Sequence, residues 1–498
     1  MLRLWSIVVA VLGICACSRG MDPAEARGTT VVMAVPNAEV LKPDVWDLDF
    51  LTFLPLAKLN EHGELEGCLA RSWEPSRDHR EYTFHLRTGL VWHDGAPVTA
   101  HDVKFTLDLL GHPDVAEYSG INATVVDDST VQIRAAKPDY INDIVFYPRH
   151  LLAGLDPKDF GVWKFWTQPV GNGPYRFVRY VPETMIEFER NPDYFGADPR
   201  IDRVILKFVG AAGLTELLAG SVDIVGEADL AHVPRVAVDP RFRVYVQAYP
   251  GARAIQWKVS HPLFRDRRVR KALTLALDRH ELLRLINVPP DLPITDGVFT
   301  ERQFRRREWP EPLPYDPGEA SALLAAAGWL DHDSDGIREN NGRRFHFTAT
   351  VFNGSSMNRI AVYVQAQLRL VGVQMEIQLA ERAIMWEKLR TGDFEAWMYI
   401  DQAPPDGQRR NHGRGNAAGY DNEEAFEVID RLGATADPAE VDELYRKLTE
   451  IYRDDPPFTR LIPFTVDWFV HSRIQGLSTP FRAEPDTYME ELWIEDER

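Results

Sequence analysis

Short apolar strands alternate with amphipathic helices from residue 31 to residue 370 without any repeat, and this confines the chain to a layered α/β or α+β architecture. A strand is expected at 31–35, another at 81–86 with Tyr82, Phe84 and Leu86 on one face, and a strand pair at 125–126 and 131–133. Thr99 stands three residues before Asp102, the start signal of a helix that carries Val103, Leu107 and Leu110 at helical spacing. Strands are expected at 175–180, 185–188 and 204–209, followed by a helix at 214–218. The spacing of Val269, Leu273, Leu277 and Leu282 predicts one long amphipathic helix over 266–286. Two further helices are expected at 319–327 and 360–370, with Pro-rich loops at 288–293 and 309–317. A chain of 498 residues is too long for one core, because single cores stop growing at roughly 250–300 residues. Two or three lobes are therefore expected.

The N-terminus reads as an export signal. Arg3 is followed by an uncharged apolar run over 4–14, too short to span a bilayer as a mature helix. The run closes on Ile14-Cys15-Ala16-Cys17, which resembles a bacterial lipobox with Cys17 as the lipidated residue. Cys15 fits poorly, since Ile14 then stands where the peptidase wants a small side chain. An ordinary secretory signal cleaved nearby is the alternative, and both readings export the protein. Residues 1–16 are assigned to the signal and 17–28 to a tether. That leaves Cys68 alone among three cysteines, so no internal disulfide is expected and Cys68 is read as a small buried residue.

Charge limits the partners. Lys and Arg total 56 against 75 Asp and Glu, a net charge of −19, which repels phosphate backbones and anionic lipid headgroups. Nucleic acid is excluded as a partner, and membrane association has to come from an anchor.

Several motifs in one order carry a family resemblance. They include Leu69-Ala70-Arg71-Ser72-Trp73, Tyr82-Thr83-Phe84-His85-Leu86-Arg87, and Val91-Trp92-His93-Asp94-Gly95-Ala96-Pro97-Val98-Thr99-Ala100-His101-Asp102-Val103. They continue through Pro169-Val170-Gly171-Asn172-Gly173-Pro174-Tyr175, Arg190-Asn191-Pro192-Asp193-Tyr194-Phe195, and Asn416-Ala417-Ala418-Gly419-Tyr420. The set resembles the extracytoplasmic solute-binding proteins of dipeptide, oligopeptide and nickel ABC importers, family 5. The resemblance implies an α/β, two-lobed, hinged periplasmic-binding-protein fold of type II with an extra domain and a discontinuous first lobe. Lobe I is expected at 29–58, 181–262 and 475–498, the extra domain at 59–180, and lobe II at 263–474. It further implies a periplasmic lipoprotein that is not an enzyme, needs no cofactor, captures a peptide between the lobes and delivers it to an ABC permease in the inner membrane. The alternatives are the same scaffold carrying a nickel chelate, haem or an oligosaccharide, or an exported hydrolase using paired carboxylates.

The resemblance also locates a candidate site. In peptide-binding members an Asp in a Trp-x-x-Asp stretch pairs with the ligand's α-ammonium. Here the region reads Phe394-Glu395-Ala396-Trp397-Met398-Tyr399-Ile400-Asp401-Gln402-Ala403-Pro404-Pro405-Asp406-Gly407, so that spacing is lost. Asp401 is the first candidate and Asp406 the second, with Trp397, Tyr399 and Arg410 beside them; solvated loop acids are the alternative. A buried ammonium needs a carboxylate partner, which is why the acid type matters. Arg410 belongs to a run with Arg409 and Arg414 whose forks suit a ligand carboxylate, against a solvated basic loop. Lys258 replaces the family's usual Asn and is read as an exposed strand lysine.

Motifs that look catalytic or metal-binding fail. His280-Glu281-Leu282-Leu283-Arg284 lacks the second histidine of a zinc-protease helix. Asp331, Asp333 and Asp335 begin like a calcium loop, but Gly342 stands at the twelfth position where a bidentate Glu is needed, so an acidic turn is expected over weak calcium binding. His93-Asp94 precedes Gly95 and reads as part of a turn. No close histidine pair suggests a nickel site, so no metal is assigned.

Overall fold

In a computed structural model, the described residues are 29–495 apart from 36–50, 61–63, 116–119, 136–143, 163, 227–229, 300, 307, 309, 354, 402–411, 436 and 478–488. Cys17 and its flanks lie outside them.

Walking along the chain, β1 (Thr30–Val35) precedes a small antiparallel sheet of β2 (Ala70–Pro75), β3 (Glu81–Leu86), β4 (Ile121–Asp127) and β5 (Thr130–Ala135), in the order β2-β3-β5-β4. Between β3 and β4 runs α1 (Ala100–Leu110). As the spacing expects, Asp102 accepts from the Thr99 backbone N–H at 2.8 Å, and Val103, Leu107 and Leu110 are buried. A ten-stranded sheet takes β6 (Tyr175–Val181), β7 (Met185–Arg190), β8 (Arg203–Phe208), β9 (Ile224–Val225), β10 (Phe242–Trp257), β11 (His346–Phe352), β12 (Gln374–Ala380), β13 (Ala396–Asp401) and β14 (Phe458–His471). Its order is β12-β11-β13-β10-β14-β9-β1-β8-β7-β6.

The two long strands β10 and β14 form an antiparallel ribbon that joins the halves of this sheet. At one end β14 pairs with β9, at the other β10 pairs with β13. Register slips between Tyr249 and Ala252, and again between Arg253 and Ala254, bend the ribbon in its middle. One core gathers Val31, Met33, Phe84, Val131, Phe188 and Leu206; another gathers Ile255, Trp257, Leu273, Phe347, Val364 and Met398. Cys68 is buried, and burial pushes its thiol up to about 11.

One expected helix is two. The stretch 266–286 divides into α2 (Arg267–Leu275) and α3 (Arg279–Leu285). The Asp278 carboxylate accepts from the Glu281 backbone N–H at 2.9 Å, so the chain caps a new helix there instead of continuing the old one. The apolar spacing survives the break because both pieces face the same core. Among the described residues no helix is long and apolar enough to cross a membrane.

The resemblance motifs build junctions. His93 Nδ1 accepts from the Gly171 N–H at 3.1 Å, so Nε2 carries the proton and donates to the Gly173 carbonyl at 3.1 Å. Burial pushes His93 down to about 4, which keeps this tautomer neutral. Asn172 Oδ1 accepts from the Leu54 N–H at 3.0 Å. A Cβ on Gly171 would lie 1.9 Å from the Thr52 carbonyl oxygen, so only glycine fits that approach. Asp94, read as a turn residue, bonds His150 Nε2 at 2.7 Å.

Candidate functional site

Strand alternation makes the site. On β13 the side chains of Trp397, Tyr399 and Asp401 share one face, while Ala396 and Met398 enter the core from the other. Trp397 and Tyr399, two residues apart, stack with ring centroids 4.6 Å apart and planes at 7°. Asp401 pairs in register with Ala252, and Ala254 lies between Tyr399 and Arg460. Arg460 on β14 therefore reaches the same face, and its Nη2 meets Asp401 Oδ2 at 3.1 Å. The pair is buried, with side chains 4% and 0% exposed. Arg460 Nη1 also donates to Thr295 Oγ1 at 3.2 Å. Asp401 Oδ1 is buried without a hydrogen-bond partner among the described residues, an opening that native interiors seldom leave.

Neutral polar groups complete the wall. Gln256 Nε2 donates to the Pro457 carbonyl at 2.9 Å, which leaves its Oε1 to accept from His412 Nε2 at 3.0 Å and from the Tyr399 hydroxyl at 3.4 Å. Burial, helped by the Arg460 charge, pushes His412 down to about 3, and burial pushes Tyr399 well up, so both stay neutral near pH 7. The face presents stacked aromatic rings, a charge-balanced carboxylate and one unclaimed carboxylate oxygen. Such a wall binds an ammonium or N–H donor beside apolar groups, and among the described residues it holds no nucleophile poised against a base.

Of the other candidates, Asp406 and Arg410 lie outside the described residues. Arg414 is exposed and pairs with Glu423 and Asp430. Lys258 is corrected: it is no exposed strand lysine. It follows β10, donates through Nζ to the Ala417 carbonyl at 2.6 Å and the Gly392 carbonyl at 3.0 Å, and sits 5.1 Å from the centroid of the Phe394 ring. It thereby staples two turns beside a cavity of about 690 Å³ also lined by His261, Lys388 and Glu395. His280 and Glu281 lie on α3, where Glu281 pairs with Arg284.

The acidic turn gains a member. Carboxylate oxygens of Asp331, Asp333, Asp335 and Glu339 lie within 4.8 Å of one another, so Glu339 supplies an acid that the twelfth position lacks. These four are the residues that could hold a cation. Arg344 Nη1 is 2.6 Å from Asp335 and already balances part of that charge.

Arg460, Gln256 and His412 were invisible as site residues. The usable signal was a lone charged residue inside the otherwise uncharged, mostly apolar run Phe458-Thr459-Arg460-Leu461-Ile462-Pro463-Phe464, where burial obliges a charged partner.

Comparison with known proteins gives a consistent picture. Residues 64–413 match the model of bacterial extracellular solute-binding proteins, family 5 middle. A putative ABC transporter peptide-binding protein of Brucella ovis is 29% identical over 343 residues, 65% of this chain and 62% of that protein. The chain thus matches about three-fifths of that relative's length. The oligopeptide-binding protein AppA of Bacillus subtilis is 24% identical over 484 residues, 90% of this chain and 87% of that protein. Its structure with a nonapeptide superposes at a TM-score of 0.69 over 94% of this chain and 99% of the other, at 22% identity. NikA from Brucella suis, in complex with Fe(III)-EDTA, gives 0.80 over 94% and 100%, at 20% identity. The shared architecture is the two-lobed binding-protein fold.

Proposed function

The chain belongs to the bacterial extracellular solute-binding proteins of family 5, and from that premise we propose that it captures a peptide between its two lobes and hands it to an ABC permease. It works as a binding protein and leaves its cargo chemically unchanged. Cys17 carries the lipid that holds the mature protein at the membrane, in the periplasm. Lobe I comprises 29–58, 181–262 and 475–498, the extra domain 59–180, and lobe II 263–474. The bent ribbon of β10 and β14 is the hinge, and ligand shifts it toward closure because the closed form makes more contacts.

The observation that carries this reading is the row Trp397, Tyr399 and Asp401, with the carboxylate's Oδ1 unclaimed. A carboxylate serves two donors through its two oxygens. Arg460 occupies Oδ2 and the peptide's α-ammonium takes Oδ1. Asp406 is the second candidate for that amine, and Arg410 is a candidate partner for a ligand carboxylate. The stacked rings flank an apolar side chain of the peptide.

Calorimetry and thermal melting with peptides of free or acetylated N-terminus test this. One peptide per chain raises the melting temperature by mass action and is recovered intact. Asp401→Asn is expected to weaken the free-amine peptide by about tenfold, roughly 1.4 kcal/mol, and the acetylated one much less. Equal losses would remove Asp401 from the site, and any product formed would show an enzyme.

A further inference from the structure

The extra domain shares its core with lobe I. Phe84 and Val131 of the one pack in a single cluster with Met33 and Phe188 of the other, so the two are built to move as one body. Among the described residues, none of 59–180 enters the lobe II core around Leu273, Phe347 and Val364, or the one around Phe426, Tyr445 and Leu448. Two polar contacts nevertheless cross from the extra domain to lobe II, and both lie at the surface.

The first is an ion pair. Ala57–Leu59 pairs with Leu65–Gly67 in a hairpin. Asn60 fixes Glu64 there, accepting its N–H at 2.9 Å through Oδ1 and donating its own N–H to the Glu64 carbonyl at 2.8 Å. Glu64 Oε1 meets Nη2 of Arg306, the last residue of α4 (Glu301–Arg306), at 3.2 Å. The second is a hydrogen bond. In the turn 76–80 the Asp78 carboxylate accepts from Ser76 Oγ at 2.6 Å and from the Arg80 N–H at 3.3 Å. Arg80 Nη2 then donates to the carbonyl of Ala434, the last residue of α5 (Glu423–Ala434). A helix leaves its final carbonyls without intrahelical donors and gathers partial negative charge there, so a guanidinium suits that end. The two receiving points belong to one plate. Gln303 Nε2 on α4 donates to the carbonyl of Asp442 on α6 (Pro438–Asp454) at 2.7 Å, and α6 shares a core with α5.

We propose that the Glu64 and Arg80 turns of the extra domain are a latch on lobe II, engaged in the closed protein and let go when the lobes open about the ribbon. The extra domain thereby sets how long the cleft stays shut. Exposed ion pairs are weak, which suits a catch that thermal motion has to undo before cargo leaves. The inference rests on the hinge of the reading above and is independent of whether the cargo is a peptide.

The test measures opening directly, without ligand. Nitroxide labels at Val126→Cys in the extra domain and Val362→Cys in lobe II, both exposed and outside the latch, report the separation by double electron–electron resonance. The mature chain is made with Cys17→Ser, and Cys68 is buried, so the two new thiols take the label. The wild type is expected to show a shorter, latched distance and a longer, open one. Glu64→Arg and Arg306→Glu each raise the ratio of open to closed by about twofold to fivefold, the double exchange restores it, and Arg80→Gln raises it independently. About 0.5 M salt narrows the gap between the single variants and the wild type. The substituted side chains are exposed, so the fold is not at stake. Two distances whose ratio no variant changes, or a double exchange that restores nothing, overturn the latch and leave the hinge intact. One distance throughout sinks the latch and the hinge together, while the calorimetry above decides separately whether the cargo is a peptide.

Discussion

Near His93, both ring nitrogens are engaged, and the buried atoms left without partners, Trp92 Nε1, Thr52 Oγ1 and Asn172 Nδ2, belong to neutral groups. Along the ribbon and β13, the buried atoms left open among the described residues include, beside the neutral Trp468 Nε1, atoms of three ionisable groups, Arg253, Asp401 and Asp467. A neutral orphan costs about 1–3 kcal/mol, whereas a buried charge without its partner costs more. The first region is thus nearly closed on itself, and the second is built to wait for something. The difference also follows the sequence: His93, Gly171 and Gly173 stand in the motifs that carry the family resemblance, while Asp401 stands where the family spacing is lost.

The contrast predicts different responses to substitution. Asp401→Ala strands the buried Arg460 and is expected to lower stability by about 3–5 kcal/mol, while adding Arg460→Met restores most of it. Urea denaturation of the single and double variants checks this, and an equally unstable double variant would break the claim that the stranded Arg460 charge is what costs the stability. Asp467 comes next. Burial pushes its carboxyl from 3.8 up to about 7, with Arg253 opposing. A carboxyl raised in the folded state contributes stability that is complete below about pH 4 and is lost as pH rises through about 7. Asp467→Asn should therefore be more stable than the wild type at pH 8, on the order of 2–4 kcal/mol, with the gap closing toward pH 5. A gap that widens on acidification would reverse the assignment.

At the His93 junction, Gly171→Ala forces a Cβ against the Thr52 carbonyl and is expected to cost about 1–3 kcal/mol. Its effect on ligands should be uniform, with no change in preference between free and blocked termini; altered preference would show that this junction also reads cargo. The smallest effect belongs to Lys258→Met. It removes two hydrogen bonds to carbonyls at the edge of the 690 Å³ cavity and is expected to cost about 1 kcal/mol in thermal melts.

Much of this organisation was legible. Strand alternation at Tyr82, Phe84 and Leu86, the Thr99 and Asp102 start signal, and the apolar run ahead of the helix near Leu217 all correspond to observed elements. Periodicity failed at Asp278, because a continuous apolar spacing is blind to a cap that stops one helix and starts another on the same face. The site was half legible. Trp397, Tyr399 and Asp401 follow from one strand's period of two, whereas Arg460, Gln256 and His412 reach them across β10 and β14 from positions far apart in the chain. Only the pairing of strands brings them together, and local pattern carries no record of that pairing. Lys258 shows the converse: a lone lysine at a strand end looks solvent-facing until two turns fold over it.

The most direct test is to purify the protein from its native host, release the bound solute by denaturation, and measure its mass and its ratio to protein. The account predicts one intact peptide per chain, with free amino and carboxyl ends. Recovery of a metal chelate, a haem or a sugar in that ratio, or of cleaved fragments alone, would contradict it.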